Sequence, residues 1–464
     1  MHTASTQTPS GAGPDFDSLR HRLSGPLYEP IDPHYAELAT PWNMAVFTCP
    51  AAEVEACNPQ DVVESVKFAA ANGLPVTAQA TGHGVASDMA GALLIHTRAL
   101  DECTINTDTQ TASTGAGVTW KTVLSECEGL GLAGLCGSAP GVSVAGYTSG
   151  GGIGPMARTY GAASDRVRSI NVVTGDGALH HATATDEPEL FWGLRGGKGS
   201  LGIITGMEFE LLPLPMIYAG ALFFDTHHVS DILHAWTEWR STLTAAATTS
   251  VALMQMPPLP GVPEPIAGKF TIAVRYVFAG KPDDGARWLA PLRSVAPMLK
   301  DAVGPMPSSM IGLVHSDPED ALPATEGSAL LATFDAAAAQ TLLNVAGPDS
   351  DSPQLMVEIR QFGGLLSQEP EIPSALCHRD AEFGLSTVAA APPPDLPALA
   401  THAAGEREHM SPWAHGGTLP NFASSEGQAG FATSYTAPVL ERLSGLAEHF
   451  DPSHVFRMGQ VPMR

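Results

Sequence analysis

A histidine held between glycines is the first residue of this chain whose type and setting could do chemistry. The segment PVTAQATGHG runs from an apolar stretch into the turn Gly82-His83-Gly84. An imidazole is a nucleophile, and backbone that lacks Cβ atoms can approach a phosphate group closely. Two further glycine segments follow, SGGGIG from Ser149 and RGGKGSLG from Arg195. Together they predict a site that holds a phosphate-bearing cofactor and bonds it covalently through His83.

The composition limits the classes of function open to the chain. With 464 residues it exceeds the size at which one hydrophobic core keeps growing, so two domains are expected. Acidic residues outnumber basic ones 48 to 23, and the formal charge of -25 would repel nucleic acid. The sequence has no apolar run of the roughly 18 to 20 residues that span a bilayer. We therefore expect neither a nucleic-acid nor a membrane partner.

The cysteines and the N-terminus bear on the cellular compartment. The 6 cysteines fall at irregular spacings with no CxxC pair, which argues against a zinc site or a disulfide framework. We expect reduced thiols, no metal and a cytoplasmic location. The N-terminal MHTASTQTPSGAGP lacks the charged start and the apolar middle of a secretory signal, so we expect a flexible leader there.

Hydrophobic periodicity divides the chain into regions. Residues 1–35 are assigned to the leader and an N-terminal extension. From 36 to 215, short strands rich in Val, Ile and Leu alternate with helical stretches, which indicates an α+β domain. A helix is predicted over 61–72, after Asn58 as a possible cap and before Gly73. Strands are expected at 74–78, 92–96, 169–174 and 206–212.

The region 216–405 has a different pattern. It is interrupted by proline-rich breaks, and its periodicity predicts strands and helices in alternation. We expect a second, substrate-binding domain with a curved antiparallel sheet backed by helices. The segment 406–464 is expected to return to the first domain. The predicted strands are 219–224, 270–277 and 355–361, and the predicted helices are 230–245, 284–296 and 438–450.

One glycine segment also satisfies a nicotinamide fingerprint. Residues 152–157 (GIGPMA) match the GxGxxA form, and Asp176 follows about twenty residues later. That fingerprint must follow a buried strand and open a helix, whereas GSAPGVSVAGYTS precedes it and Pro155 interrupts it. We interpret the match as accidental. A nicotinamide-dependent dehydrogenase is the alternative, and it predicts a colourless protein that binds NAD(P).

Taken together, the motifs resemble the berberine bridge enzyme-like FAD-linked oxidases of the vanillyl-alcohol oxidase group. They are, in order, QATGHG from Gln79, GSAPGVSVAGYTSGGGIG from Gly137, RTYGAASDRV from Arg158, DEPELFWGLRGGKGSLGIIT from Asp186, and the C-terminal DPSHVFR. The resemblance implies a PCMH-type FAD-binding domain and an oxidase that removes hydride from a carbon bearing oxygen or nitrogen. It further implies a small natural-product-like substrate, a role in secondary metabolism, and reoxidation by O2 to hydrogen peroxide.

The same resemblance assigns the cofactor residues. His83 matches the histidine that bonds the 8α-methyl of the flavin, within a pyrophosphate-binding loop. A single attachment is expected, because Ala139 stands where some relatives have a second, cysteine attachment. The nearby Cys136 is interpreted as a small buried hydrophobe. The residues expected to contact FAD are Ala80, Thr81, Gly82, His83, Gly84, Ser138, Val142, Gly146, Tyr147, Gly150, Gly151, Gly152, Gly154, Gly202, Ile203 and Asn421.

Two of these residues have a further implied role, each with an alternative. Val142 matches a small gate that admits O2 beside the flavin, or it is an ordinary β-branched strand residue. Tyr147 lies near the expected flavin N1 position, where a donor would stabilise negative charge on the reduced ring. The alternative for Tyr147 is a side chain packed under the sheet with its hydroxyl satisfied.

The catalytic base is where the chain departs from the family pattern. Leu419-Pro420-Asn421 stands where many relatives have Tyr-x-Asn, and leucine cannot accept a proton. In the strand MVEIRQFGG, alternation places Glu358 and Arg360 on one face. A glutamate desolvated over the flavin would have a raised pKa, as a base needs. Alternatively, this pair forms a solvated surface ion pair.

Other side chains complete the set of candidates. Gln361 of the same strand lies on its other face, with Val357 and Ile359. The candidate catalytic residues are therefore Glu358, Tyr147, His415 and Gln361, with Trp413 and Tyr435 as weaker ones. The missing tyrosine also leaves open a flavin-containing protein that sequesters a small molecule with little turnover. Apolar lining of the substrate pocket is expected from Met254, Met256 and Phe362.

Overall fold

The computed structural model describes residues 14–85, 88–260, 262–423 and 427–457. Most of the expected leader, residues 1–13, lies outside these ranges. Within them, the first sheet has the order β1-β2-β4-β3, with β2, β4 and β3 parallel, and the second is antiparallel with the order β5-β6-β9-β7-β8. Their strands are β1 (Leu27–Tyr28), β2 (Ala52–Glu55), β3 (Val76–Gln79), β4 (Leu93–His96), β5 (Cys103–Asn106), β6 (Thr111–Gly115), β7 (Val167–Val173), β8 (Leu179–Thr183) and β9 (Ile203–Glu210).

The third sheet is larger and antiparallel, and it lies inside the region predicted to bind substrate. Its order is β13-β10-β12-β11-β16-β17-β15, and β14 pairs with β10 beside β13. Its strands are β10 (Met216–Asp225), β11 (Ala247–Gln255), β12 (Phe270–Phe278), β13 (Met298–Asp301), β14 (Gly304–Pro307), β15 (Ala324–Leu331), β16 (Met356–Gln361) and β17 (Phe383–Ala390).

Helices cover the sheets and connect them. Among the described residues, no helix is both long and apolar enough to cross a membrane. Their bounds are α1 (Phe16–Arg20), α2 (Tyr35–Ala39), α3 (Pro59–Asn72), α4 (Trp120–Glu126), α5 (Val144–Ser149), α6 (Ala157–Tyr160), α7 (Pro188–Leu194), α8 (Val229–Trp239), α9 (Pro282–Arg293), α10 (Ala336–Ala346), α11 (Leu396–His409), α12 (Gly427–Ala432) and α13 (Ala437–Phe450).

The two faces of the third sheet have different surroundings. Val357 and Ile359 of β16 are buried in a core that contains Trp236 of α8 and Phe334. The other face carries Met356, Glu358 and Arg360 of β16 and, in register with them, residues of its neighbouring strands. Alternation along a strand sends successive side chains to opposite faces. One face therefore holds the helices, and the other can form the wall of a site.

Helix α3 shows how local sequence sets an element. Asn58 caps it, because its Oδ1 accepts a hydrogen bond of 3.0 Å from the Asp61 N–H. Gly73 ends the helix in a left-handed conformation, with a φ of 65°. The helix predicted over 61–72 is confirmed, with two more residues at its N-terminus. The helix predicted over 230–245 is shorter, because α8 ends at Trp239 and one turn of 3-10 helix, Arg240–Thr242, follows it.

The DPSHVFR motif ties the C-terminus to the first sheet. Asp451 is fully buried, and its carboxylate accepts hydrogen bonds from the backbone N–H groups of Val455 (2.9 Å) and Phe456 (2.8 Å). The Val455 carbonyl then accepts a bond of 2.7 Å from the N–H of Val76, the first residue of β3. Strand β3 leads directly into the turn at His83. Asp451 therefore helps to fix the strand that presents this histidine.

Replacing Asp451 with alanine should lower the free energy of unfolding by roughly 2–4 kcal/mol, because two buried N–H groups would lose their acceptor. Asp451→Asn, which keeps one carbonyl acceptor, should lose about half as much. Urea denaturation of both variants against the unaltered protein measures the difference. A loss below about 0.5 kcal/mol for Asp451→Ala, the size typical of surface changes, would contradict this role.

Candidate functional site

A cleft with a volume of about 1190 Å³ lies between the glycine-rich segments and the third sheet. Small-molecule pockets usually measure roughly 300–1,000 Å³, so this one has room for a large cofactor and a substrate together. One wall consists of backbone from 76–85, 137–149 and 198–204 together with Asn421. The opposite wall is the open face of β11, β16, β17 and β15.

His83 lies at one end of this cleft in a fixed orientation. Its ring stacks on Trp42, with the centroids 4.5 Å apart and the planes 14° from parallel. Its Nδ1 is 2.9 Å from the Thr81 hydroxyl oxygen. Burial lowers the pKa of His83 to about 4, and the carboxylate of Asp317 opposes this only partly. The imidazole is therefore neutral near pH 7, with a nitrogen lone pair available to form a bond.

Gly82 allows the chain to turn at this point. Its φ is 79°, and an added Cβ would lie 2.8 Å from the Cα of Pro41 and the N of Trp42. Residues with side chains rarely adopt that backbone conformation, and here there is no space for one. The structure places the rest of the predicted loop on the cleft as well. The predicted cofactor residues that line it are Ala80, Thr81, Gly82, His83, Gly84, Ser138, Val142, Gly146, Tyr147, Gly202, Ile203 and Asn421.

The glycines of the second segment have a different position from the one we expected. Gly150, Gly151, Gly152 and Gly154 do not line the cleft. A Cβ at Gly151 would lie 2.7 Å from the Leu376 side chain, and one at Gly154 would lie 2.3 Å from a backbone oxygen. Gly151 and Gly154 permit close packing behind the wall, whereas a Cβ at Gly150 would meet Asn421 and Lys198 of the cleft. The predicted contact of these four glycines with the flavin ring therefore has no support in the geometry.

Tyr147 also lies differently from the main expectation. Its ring meets Trp120 edge-on, at 5.8 Å between centroids, and its hydroxyl lies beside Gly154, behind the wall. That hydroxyl is buried without a hydrogen-bond partner among the described residues. Burial raises the pKa of Tyr147 well above its usual value. The side chain thus matches the packed alternative, except that the hydroxyl is unsatisfied, and only the rest of the residue faces the cleft.

Lys198 lies on the cleft inside the third glycine segment. Its Nζ donates a bond of 2.6 Å to Oδ1 of Asn421, whose Nδ2 donates one of 2.8 Å to the Tyr147 carbonyl. A Cβ at Gly84 would be 3.5 Å from this Nζ, so the cation lies against the turn of His83. Burial lowers the pKa of Lys198 to about 8. No carboxylate of the described residues forms an ion pair with it, so an anionic ligand would stabilise its charge.

Glu358 is at the centre of a buried charged group on the sheet wall. Its Oε1 accepts bonds of 2.6 Å from Nη1 of Arg275 and from the Ser250 hydroxyl, and its Oε2 accepts one of 2.8 Å from Nη2 of Arg360. Nε2 of His315 lies 3.4 Å from the same Oε1. Strands β11, β12 and β16 bring the two arginines and the serine to this point through their register.

The raised pKa predicted for Glu358 is wrong. Burial alone would raise it, but Arg360, Arg275 and His315 outweigh burial and hold the pKa of Glu358 well below its usual range. The alternative of a solvated surface pair with Arg360 is also wrong, because the Glu358 side chain is only 1% exposed. The pair exists, but it is buried and faces the cleft.

The other predicted catalytic residues lie away from the cleft. Gln361 is on the helix-covered face of β16, and its Nε2 is 3.4 Å from the Arg240 carbonyl. His415 pairs with Asp380 at 3.2 Å. Trp413 packs against the core of the third sheet, and the Tyr435 hydroxyl donates to the Gly196 carbonyl. None of these side chains lines the cleft, so the structure gives them no contact with a bound molecule.

Several cleft residues had no place in the sequence-based set. Lys198 could have been found, because it is a charged residue inside a glycine segment. Arg275 and His315 could not, because only tertiary structure brings them to Glu358. Of the apolar candidates, Met254 and Met256 line the cleft, and Phe362 does not. Glu326 of β15 lines it too, with a pKa raised by burial and then by Asp317.

Comparison with known proteins identifies the part of the chain that carries the His83 turn. Residues 50–183 match the FAD binding domain family. The chain contains an FAD-binding domain. The FAD-binding domain that the resemblance implied is thereby confirmed for these residues.

Solved structures share the fold beyond the FAD-binding domain. 6-Hydroxy-D-nicotine oxidase from Arthrobacter nicotinovorans superposes with a TM-score of 0.82 at 23% identity, covering 94% of this chain and 97% of that one. BBE-like 1 from Physcomitrella patens gives a TM-score of 0.82 at 16% identity, covering 97% and 99%. The chain therefore shares the overall fold of these two proteins, and the predicted mixed helix-and-sheet fold with antiparallel sheets is confirmed.

Sequence similarity covers less of the chain than the fold does. (R)-6-Hydroxynicotine oxidase of Paenarthrobacter nicotinovorans is 27% identical over 284 residues, which are 61% of this chain and 60% of that protein. An FAD-linked oxidoreductase of Arthroderma benhamiae is 33% identical over 150 residues, 30% of its length. The chain thus aligns with less than two thirds of each of these relatives.

The residues around the cleft fit FAD. The Gly82 turn brings backbone without side chains to the surface, Lys198 supplies a positive charge without a carboxylate partner, and His83 supplies a neutral imidazole. In the same FAD-binding domain, Ala139 lines the cleft, whereas Cys136 is buried behind it. The fingerprint at 152–157 follows helix α5 rather than a strand, which removes the structural context of a nicotinamide site.

Proposed function

We propose that the protein is an FAD-linked oxidase that removes hydride from a C–O or C–N carbon of a small, natural-product-like molecule, with O2 as the electron acceptor and hydrogen peroxide as product. The observation that carries this proposal is the placement of His83 and the glycine loop opposite the polar face of the third sheet, across one cleft. The names of similar proteins, oxidases among them, support it. Bound FAD would supply the hydride-accepting chemistry.

The side chains on the FAD wall have defined tasks in this proposal. His83 would hold FAD through a single covalent bond, because its imidazole is neutral near pH 7. The alanine at position 139 has no nucleophilic atom for a second bond. Lys198 balances the negative charge of the dinucleotide and links the glycine segment to Asn421. Val142 lines the cleft and keeps the two roles assigned from sequence, O2 gate or wall residue.

The base is assigned to the sheet wall. Glu358 is a poor acceptor of protons, because its pKa is held low by its arginines. Glu326 is better suited. Its side chain is exposed to the cleft, but the protein around it still removes much of the water from its carboxyl group. This desolvation raises the pKa of Glu326, and the nearby Asp317 raises it further. Glu326 would take the proton from the substrate heteroatom as hydride leaves the adjacent carbon.

Two measurements on the purified protein test the oxidase activity. First, the flavoprotein is reduced with dithionite without air and then mixed with O2. Fast return of the yellow colour with one hydrogen peroxide per flavin is expected of an oxidase. Second, amines and alcohols, including 6-hydroxynicotine, are mixed with the protein anaerobically. Loss of the yellow colour with any of these compounds supports turnover. If compounds bind and none of them removes the colour, the protein sequesters them instead.

Lys198→Met should weaken FAD binding by about 10-fold to 150-fold, because one charge-assisted hydrogen bond is worth roughly 1.5–3 kcal/mol. The measurement is a fluorescence titration of apoprotein with FAD, made in a His83→Ala background so that binding is reversible. Affinity with Lys198 present should also fall as the pH rises through about 8, where the amine loses its proton. Lys121→Met, at a side chain 65% exposed, is the matched control. Equal affinities would contradict the role.

A further inference from the structure

The buried charged group on the sheet wall has more positive than negative charge. Arg275 and Arg360 share the single carboxylate of Glu358, and their side chains are 4% and 11% exposed. Burial lowers the pKa of His315, and Arg275 lowers it further, so this imidazole is neutral near pH 7 and adds no charge to the group. Buried charges are costly unless they are paired. The group therefore has one cation more than its own residues neutralise.

Arg360 is the member of this group that can meet a ligand. It lines the cleft, and a single terminal nitrogen, Nη2, makes both of its side-chain contacts, to Glu358 (2.8 Å) and to His315 (3.4 Å). Among the described residues, no hydrogen-bond acceptor reaches its Nη1 or Nε. Asp317 acts on Arg360 electrostatically but forms no ion pair with it. Arg360 thus presents N–H donors that no described residue uses, and Glu358 is its ion-pair partner among the described residues.

The N–H donors of Arg360 lie near residues that connect the sheet wall to the FAD wall. Its guanidinium lies 5.7 Å from the centre of the Phe422 ring, next to Asn421. Asn421 in turn contacts Lys198 on the FAD wall. Met254 of β11 pairs with Met356 of β16 in the sheet register, on the same face as Arg360. Both methionines line the cleft. The surroundings therefore combine one anion-binding group with apolar, adaptable side chains.

We propose that Arg360 binds a carboxylate of the substrate, so that the protein acts on acids with an apolar body. This inference rests on the proposed function, since it names the substrate class of the same cleft. Arginine suits the task, because its guanidinium is always charged and forms strong hydrogen bonds to carboxylates. Glu358 and His315 are positioning residues that hold the guanidinium against the cleft.

The test uses the flavin-containing protein and three probes of one shape: benzoate, benzyl alcohol and benzylamine. Binding is followed by the change in the visible flavin spectrum and, independently, by titration calorimetry. Benzoate should bind the unaltered protein at least about tenfold more tightly than benzyl alcohol, and Arg360→Met should remove that advantage. Arg287→Met, which removes an arginine whose side chain is 74% exposed, should leave it intact.

The possible outcomes separate this inference from the proposed function. Benzyl alcohol or benzylamine binding as tightly as benzoate would overturn it, as would benzoate affinity unchanged in Arg360→Met. Sulfite, which adds to the flavin ring, reports on the charge around the cofactor. The inference would also be overturned if Arg360→Met changed the affinity for sulfite but not for benzoate, because the charge would then serve the cofactor. Arg360→Lys should keep part of the benzoate affinity. If the protein held no flavin, the proposed function would fail, whereas calorimetry would still report on the carboxylate site.

Discussion

Replacing His83 with alanine should leave no flavin in the acid-precipitated protein, whereas the unaltered protein should keep its flavin in the pellet. The reason lies in the groups around the cleft. His83 presents a neutral imidazole, fixed by Trp42 and Thr81. Cys136, the cysteine nearest in sequence to Ala139, is buried behind the wall, where burial raises its pKa. The variant should still bind FAD reversibly and be yellow before acid treatment.

The measurement is direct. Intact-mass analysis should show an added FAD on the unaltered chain and none on His83→Ala. His415→Ala is the matched control, because this histidine does not line the cleft. It should keep both the added mass and the acid-stable colour. Covalent flavin on His83→Ala, or its loss from His415→Ala, would contradict the proposed attachment through His83.

The cofactor wall could be predicted from sequence because its chemistry is local. The turn at His83 and the residues from Ser138 to Tyr147 follow one another in the chain, and clustered glycines indicate that something approaches the backbone closely. The contacts predicted for Gly150, Gly151, Gly152 and Gly154 stay a prediction, for a physical reason. A missing Cβ permits close approach either by a ligand or by the protein's own backbone and side chains, and only the fold decides between them.

The substrate wall could be predicted only in part. Alternation in β16 correctly separated Glu358 and Arg360 from Val357 and Ile359. The partners of Glu358 come from elsewhere: Arg275 lies on β12, and His315 follows a turn of 3-10 helix. Their approach depends on strand register, which local pattern does not reveal. When these partners are not known, burial is the main influence expected on the carboxyl group, and burial alone raises its pKa. The predicted direction of the Glu358 pKa shift is wrong for this reason.

The low pKa of Glu358 determines which side chains of the cleft can accept a proton. A carboxylate held ionised between two arginines orients them but is a weak proton acceptor. The pKa of Glu326, in contrast, is raised, first by burial and then by Asp317. The sheet wall thus carries the guanidinium of Arg360 on β16 and the carboxyl group of Glu326 on β15, and Asp317 acts electrostatically on both. A substrate that spans both would be oriented before hydride transfer begins.

Glu358→Gln should cost about 3–5 kcal/mol of unfolding free energy near pH 7, because it leaves two buried guanidinium groups without a counter-charge. The folded-state pKa of Glu358 lies below its unfolded value. Its stabilisation is therefore fully present above that unfolded value, about 4.3, and is lost as the pH falls through the lower folded value. The difference between the two proteins should be constant around neutrality and shrink in acid.

Urea denaturation across this pH range measures the effect. Glu319→Gln, at a side chain 77% exposed, should change stability by less than about 0.5 kcal/mol. Replacing Glu358, Arg275 and Arg360 together by methionine should recover much of the loss, because the whole charged group is then removed. A stable Glu358→Gln protein that has lost its reaction with substrate would reverse the assignment, since Glu358 would then act as the base and Glu326 would not.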